Sequence, residues 1–188
     1  MQELSPENTP HLDQEMKWNR ITAELASASD RLGKPIDSAI LPTVVALRMI
    51  GFQTNASCEG HLDHGIKAPW IEVGSVSDDL ARRALSGPST EESSPHIKSV
   101  EELQAIEAVY NERSRLIDLL DKFYSHRQCS AQARLIVMFR LGQCRMISQG
   151  YGIQDGLPVE TQSTMLDTYR TEMKEFTDWL KTNCDQSI

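Results

Sequence analysis

The stretch ARLIVMFRLGQCRMISQ, residues 133–149, carries the reading on which the fold turns. Residues 133–140 are apolar on both faces, as a central strand is. LGQ then breaks the run, and residues 144–149 resume with a more polar alternation, so the pair reads as a hairpin. Helical patterns lie on either side of it in the chain, which makes the class α+β.

Downstream, Asp155-Gly156 marks a turn. A last helix is predicted over about 159–181, where Leu166, Tyr169, Met173, Phe176 and Leu180 recur at heptad-like spacing. That stripe lasts barely three heptads and is read as core packing, not as a coiled-coil seam. Upstream, Ser99 and Glu102 form a capping box. A long helix follows to about His126 with the stripe Leu103, Ile106, Tyr110, Ile117, Leu120 and Tyr124. Arg113 stands where an apolar residue is due, and is read as a stem lying on the core with its head in water.

Residues 86–98, SGPSTEESSPHIK, hold almost no large apolar group and are expected to form a mobile surface loop. Ser77 to Leu85 reads as a short helix. Trp70 to Gly74 reads as a strand, with Pro69 at its start. Phe52 to Cys58 reads as another, with Phe52, Thr54, Ala56 and Cys58 on one side. A helix is predicted over 42–50, closed by Gly51. The first helix opens at Thr9-Pro10 and shows Trp18, Ile21, Leu25, Ala28 and Leu32 on one face before Gly33 and Pro35 stop it. Residues 1–10 are otherwise a polar, disordered tail. The expectation is a single α+β domain over 11–188, with a small sheet of about four strands covered by helices.

The 188 residues, 39% hydrophobic and 24% charged, suffice for a core without disulfide staples. No run nears the ~18 apolar residues of a membrane span, and the polar first ten residues carry no secretory signal. The cytoplasm is the expected location. A net charge of −8 disfavours nucleic acid, whose binding rests on a basic field. Cys58, Cys129, Cys144 and Cys184 form no C-x-x-C pair and are read as thiols, the last three without a functional role.

The functional reading concentrates on TNASCEGHLDHGIKAPW, residues 54–70. Cys58, Glu59, His61, Asp63 and His64 fall within seven positions, bracketed by Gly60 and Gly65. Imidazole nitrogen, carboxylate oxygen and thiolate sulfur suit zinc or another divalent metal, so His61, Asp63 and His64 are candidate ligands. Cys58 is a candidate nucleophile or ligand, expected to be partly exposed with a lowered pKa if it serves as either. Glu59 is a candidate general base. Ser57, Gly60 and Trp70 are candidate substrate contacts, Gly60 because its backbone can bend or approach a ligand closely and Trp70 as a pocket wall. The bland alternative is a structural turn in which Glu59 bonds backbone amides and the histidines are solvated. No remote ligand stands out, since His96 and His126 are the only other histidines beyond the N-terminal region.

GFQTNASCEGH, residues 51–61, resembles the strand and Ser-Cys-x-Gly turn of the wybutosine-synthesis methyltransferase family. It resembles more closely a Ser-Cys-Glu-Gly-His stretch of uncharacterised bacterial proteins. His61 departs from the basic residue of the methyltransferases, and the acidic charge suits tRNA poorly. The resemblance covers about 20 residues and implies an α+β domain with a functional turn. EGHLDHG is also similar to the H-x-H-x-D-H loop of the metallo-β-lactamase superfamily, with Glu59 in place of the first histidine; that β-sandwich needs later ligands, and this helix-rich chain has no matching late pattern. The expected function is hydrolytic or acid/base chemistry on a small polar molecule, with or without a metal such as zinc. The competing expectation is a non-catalytic regulatory module that binds a ligand, a metal or a protein through the same loop.

Overall fold

The computed structural model describes residues 9–29, 33–74, 78–86, 98–140 and 143–183. The expected tail over residues 1–8, residues 87–97 of the loop expected over 86–98, and Cys184 lie outside them. Among the described residues there are five helices and one four-stranded sheet: α1 (Thr9–Ala26), α2 (Leu41–Met49), β1 (Thr54–Cys58), β2 (Trp70–Val73), α3 (Asp78–Ser86), α4 (Val100–Tyr124), β3 (Leu135–Arg140), β4 (Gln143–Ser148) and α5 (Val159–Asn183). The domain is α+β, as the patterns predict. None of these helices is long and apolar enough to cross a membrane.

Strands β3 and β4 form the expected hairpin, with Leu135 opposite Ser148 and Val137 opposite Met146. The sheet order is β1-β2-β4-β3, and every pairing is antiparallel. Strand β3 is therefore an edge, not the central strand its apolar run suggests. Its two faces are covered from above and below instead. Leu135 joins the helix-side core, whereas Ile136 and Met138 pack on the opposite side with Ala133, Ile147 and Tyr169. Apolarity on both faces reports cover over the sheet and says nothing of the neighbour in the ladder.

The main core lies between one sheet face and helices α1, α2, α4 and α5. Val44, Val45 and Leu47 of α2, Ile71 and Val73 of β2, Met146 of β4, and Phe176 of α5 are at most 1% exposed. All five residues of the α5 stripe are buried as read. The α4 stripe is displaced in part: Leu120 and Tyr124 are buried as read, but Leu103, Tyr110 and Ile117 are 54, 43 and 36% exposed, and Ala105, Val109, Leu116, Leu119 and Phe123 complete the inward face. Small residues meet α3 there, Ala105 and Val109 packing with Ala81, and they weigh little in a reading led by bulky side chains. The capping box is present, with the Glu102 N–H donating to Ser99 Oγ at 3.2 Å and the Ser99 N–H donating to Glu102 Oε2 at 2.7 Å. Arg113 keeps its head on the protein, over the Phe139 ring at 5.5 Å. Helix α1 ends at Ala26, short of the glycine and proline expected to stop it.

Phe176 reaches 0% exposure amid Phe123 and Trp179, so truncating it leaves a cavity that rigid neighbours cannot collapse. Phe176→Ala is expected to lower the unfolding free energy by about 3–5 kcal/mol, read from the urea midpoint at unchanged slope.

Candidate functional site

Strand β1 delivers the candidate turn, but with a change of phase. Thr54 pairs with Val73, whereas Ala56 pairs with Glu72, so Asn55 is the extra residue of a bulge. The bulge flips every later side chain to the other face. Ser57 consequently lies opposite Ile71 on the helix side, and Cys58 lies opposite Trp70 on the far side. The simple alternation that grouped Cys58 with Phe52 and Thr54 is overturned by that one inserted residue.

Past Cys58 the chain turns at Gly60, which is buried with φ of +80°. A Cβ there would stand 2.7 Å from the Ala68 carbonyl carbon and 2.8 Å from Leu166 Cδ1. Only glycine satisfies both the left-handed backbone and that approach. The Gly60 role foreseen from the sequence is thus met by the protein's own Ala68 and Leu166.

The segment before α2 closes over this turn. Asp37 Oδ2 accepts from the Glu59 N–H at 3.1 Å and lies 3.4 Å from His61 Nε2. In return, Glu59 Oε2 accepts from the Ala39 N–H at 3.0 Å. From α5, Arg170 Nε donates to the Glu59 carbonyl at 3.1 Å and Nη2 donates to the Gly60 carbonyl at 2.7 Å. Arg170 Nη2 also sits 3.7 Å from Glu59 Oε1. Glu59 is therefore committed to holding loops together, the backbone-bonding role of the bland reading. Burial pushes the Asp37 carboxyl up, but the Glu59 N–H and the His61 ring outweigh it and hold the group below the ordinary range.

Two sets of potential ligand atoms result, each within 4.8 Å: Asp37 with Cys58 and His61, and His61 with Asp63 and His64. They are not equivalent. The His61 and His64 rings stack at 4.3 Å with planes 15° apart. Imidazole lone pairs lie in the ring plane, so two near-parallel rings do not converge on one ion until one of them rotates. Asp63 and His64 are exposed and bond each other at 2.8 Å, which holds the Asp63 carboxyl below its ordinary value. Asp37, Cys58 and His61 are each half-buried and offer one oxygen, one sulfur and one nitrogen. Cys58 has the partial exposure expected of it, but not the lowered pKa. Burial pushes the thiol up, and the Asp37 and Glu59 carboxylates add to the shift against a hydrogen bond from the Gly60 N–H.

Trp70 stands beside Cys58 across the ladder, with the Arg145 guanidinium over its ring at 4.2 Å. Ser57 is half-buried. On the α5 side of Glu59 lies a cavity of about 490 Å³, walled by Ile40, Pro42, Pro69, Met173 and Arg170. Neither Cys58 nor Trp70 lines it. Sequence reading missed Asp37 and Arg170. Asp37 sits in the short connection KPIDSAIL (34–41) between two prolines, where an acid reads as turn chemistry. Arg170 follows Tyr169 on α5, 110 residues from the carbonyl it holds, with no local pattern to mark it.

Comparison with protein-family models, with curated proteins and with solved structures finds no match to this chain.

Two outcomes test this geometry. Gly60→Ala should lose about 2–4 kcal/mol of stability, from the left-handed backbone and the overpacking together, in urea unfolding. In metal-free protein, iodoacetamide should modify Cys58 more slowly than a free cysteine at pH 8, with the rate still climbing past the ordinary thiol value of about 8.5. A plateau below that value would contradict the burial and charge environment described.

Proposed function

We propose that the protein is an enzyme of hydrolytic or acid/base type, centred on a divalent metal held by Asp37, Cys58 and His61. The observation that supports this reading is the half-buried convergence of one oxygen, one sulfur and one nitrogen ligand atom within 4.8 Å. Three protein ligands leave a fourth tetrahedral position for water or substrate, the arrangement of catalytic rather than structural zinc. A metal held there would lower the pKa of a bound water to about 7 and polarise a carbonyl. Its binding would require Cys58 as thiolate, releasing the proton that the metal-free surroundings keep on.

The protein's own groups have separate tasks in this scheme. Asp37 orients the turn through the Glu59 N–H as well as offering a ligand oxygen. Arg170 fixes the two carbonyls after the thiol. His64 and Asp63, exposed beside His61, form a pair able to pass a proton between the site and solvent. Glu59 is not the base, because its carboxylate is engaged with Ala39 and Arg170.

A second reading is a binding module without turnover, favoured by the protonated Cys58 and the engaged Glu59. Metal loading tests both. Cobalt(II) titration of metal-free protein should produce a near-ultraviolet thiolate-to-cobalt band that Cys58→Ala abolishes. Asp37→Ala and His61→Ala should weaken zinc by on the order of 100-fold or more, beyond the loss of an outer contact. Asp63→Ala and His64→Ala should stay within about tenfold on the same scale. Protein that takes up neither metal while remaining folded would end the metal-centred reading. Stoichiometric metal with no hydrolysis across an ester and amide panel would favour the binding module.

A further inference from the structure

The two edges of the sheet, β1 and β3, are built differently. At β1 the bulge at Asn55 breaks the ladder, and Thr54, Asn55 and Ser57 are polar. Bulges and polar side chains keep an edge from pairing with another chain. Strand β3 has neither. Its register against β4 is unbroken from Leu135 to Arg140, and Leu135 to Phe139 holds no charge and no proline.

The ladder fixes which backbone groups of β3 point outward. The Gln149 N–H donates to the Arg134 carbonyl at 2.8 Å, so these two form a hydrogen-bonded pair. Such pairs alternate along antiparallel strands, which turns Ile136, Met138 and Arg140 toward β4. Leu135, Val137 and Phe139 therefore turn their N–H and C=O groups away from the sheet. The Leu135 N–H donates to the Tyr124 hydroxyl at 2.8 Å. Val137 and Phe139 have no such partner among the described residues, which leaves four open groups in a row.

An exposed helix face adjoins that edge. Tyr124 meets Leu135, and the Tyr110 ring stacks on Phe139 at 5.2 Å, so α4 runs along β3 in the opposite sense. Leu103, Tyr110 and Ile117 recur on its outer side at a strict spacing of seven. With a large side chain taken as roughly 200 Å², the exposed fractions of these three and Val100 amount to ~400 Å². That is about half of the ~800 Å² each partner gives to a standard interface. Half-buried Ile136, Val137, Met138 and Phe139 add to it. Exposed Glu107, Ser114, Asp118 and Asp121 border the stripe as a polar rim, and Arg113 lies over its own Phe139 ring at 5.5 Å.

One symmetry operation satisfies both surfaces. A two-fold axis perpendicular to the sheet at Met138 sets Val137 opposite the partner's Phe139, and the reverse. The four open groups of each copy then bond those of the other, and the Leu135–Tyr124 bond stays intact. Val137 meets the partner's Phe139 on the helix side, and Met138 meets the partner's Met138 on the far side. Tyr110 rests on Phe139, one residue from the axis, so α4 meets its mate in antiparallel sense, stripe to stripe. A foreign strand could use the edge, but only a second copy matches edge and stripe about one axis.

We propose that the chain forms a two-fold dimer in which β3 pairs with β3 across Met138 and α4 packs on α4, joining two four-stranded sheets into one.

Sedimentation of the full chain at micromolar concentration should give about twice 21.2 kDa. Leu103→Glu combined with Ile117→Glu, both at exposed positions, should raise the dissociation constant at least about 100-fold with unchanged helical circular dichroism. Cysteine substitution reads the register. Opposed residues of a non-hydrogen-bonded pair have Cα atoms about 4.5 Å apart, within the span of a disulfide. Mild oxidation should therefore link Met138→Cys protomers, with the joined peptide identified by mass spectrometry. Ile136→Cys should not link, because its mate lies about 13 Å away along the strands. A monomer at every concentration, or a dimer that the double glutamate variant leaves equally tight, would overturn the proposal. So would a dimer in which Met138→Cys fails to link or Ile136→Cys links as readily.

Discussion

The backbone at Glu59 and Gly60 is gripped from three sides, and the arrangement of everything near it follows. Asp37 takes the Glu59 N–H, Arg170 takes the two carbonyls, and Ala68 and Leu166 close on the space where a Cβ would be. Each partner comes from a different part of the chain: the connection before α2, the end of the loop into β2, and α5. Three elements are thus joined at this end of the sheet by hydrogen bonds to three backbone groups of Glu59 and Gly60 and by one missing methyl. Backbone groups at a strand end need partners wherever they leave water. Here the partners are charged, which makes the bonds stronger than neutral ones.

A comparable device secures the other edge. Glu172 on α5 has a side chain only 5% exposed, and an ion so placed is tolerated only with full pairing. Arg127 meets it through two nitrogens at 3.2 and 2.9 Å, and the Tyr124 hydroxyl donates to it at 3.1 Å. The same hydroxyl accepts the Leu135 N–H at 2.8 Å, at the start of the edge strand β3. Burial pushes the Tyr124 phenol well above its ordinary value, so it remains a donor. The long helix α5 thereby ties to both ends of the sheet, through Arg170 at β1 and through Glu172 at β3.

The site bears the mark of that structural work. Glu59, in reach of the turn and suited to act as a base, is occupied in holding it. Cys58, aimed by the bulge away from the helix-side core, has its pKa pushed up by burial, and two carboxylates add to that shift. His61 belongs to both candidate sets of ligand atoms, and its ring stacks on that of His64.

The sequence by itself determined the class, the hairpin, the capped start of α4, the whole inward stripe of α5 and the location of the turn. All of these depend on local periodicity or on neighbours within four residues, where backbone geometry alone sets the outcome. It determined that Gly60 matters, but not that the reason is Ala68 and Leu166. Tertiary structure decided the rest. The edge position of β3 depends on β2 pairing with β4 across more than 70 residues, and no alternation within β3 encodes it. The inward face of α4 depends on where α3 sits. A single bulge at Asn55 decides where Cys58 points, and nothing in the local alternation marks it. Asp37 and Arg170 join the site through folding over 22 and 111 residues of separation, and an acid in a turn or an arginine on a helix looks the same in sequence whether or not anything is folded against it.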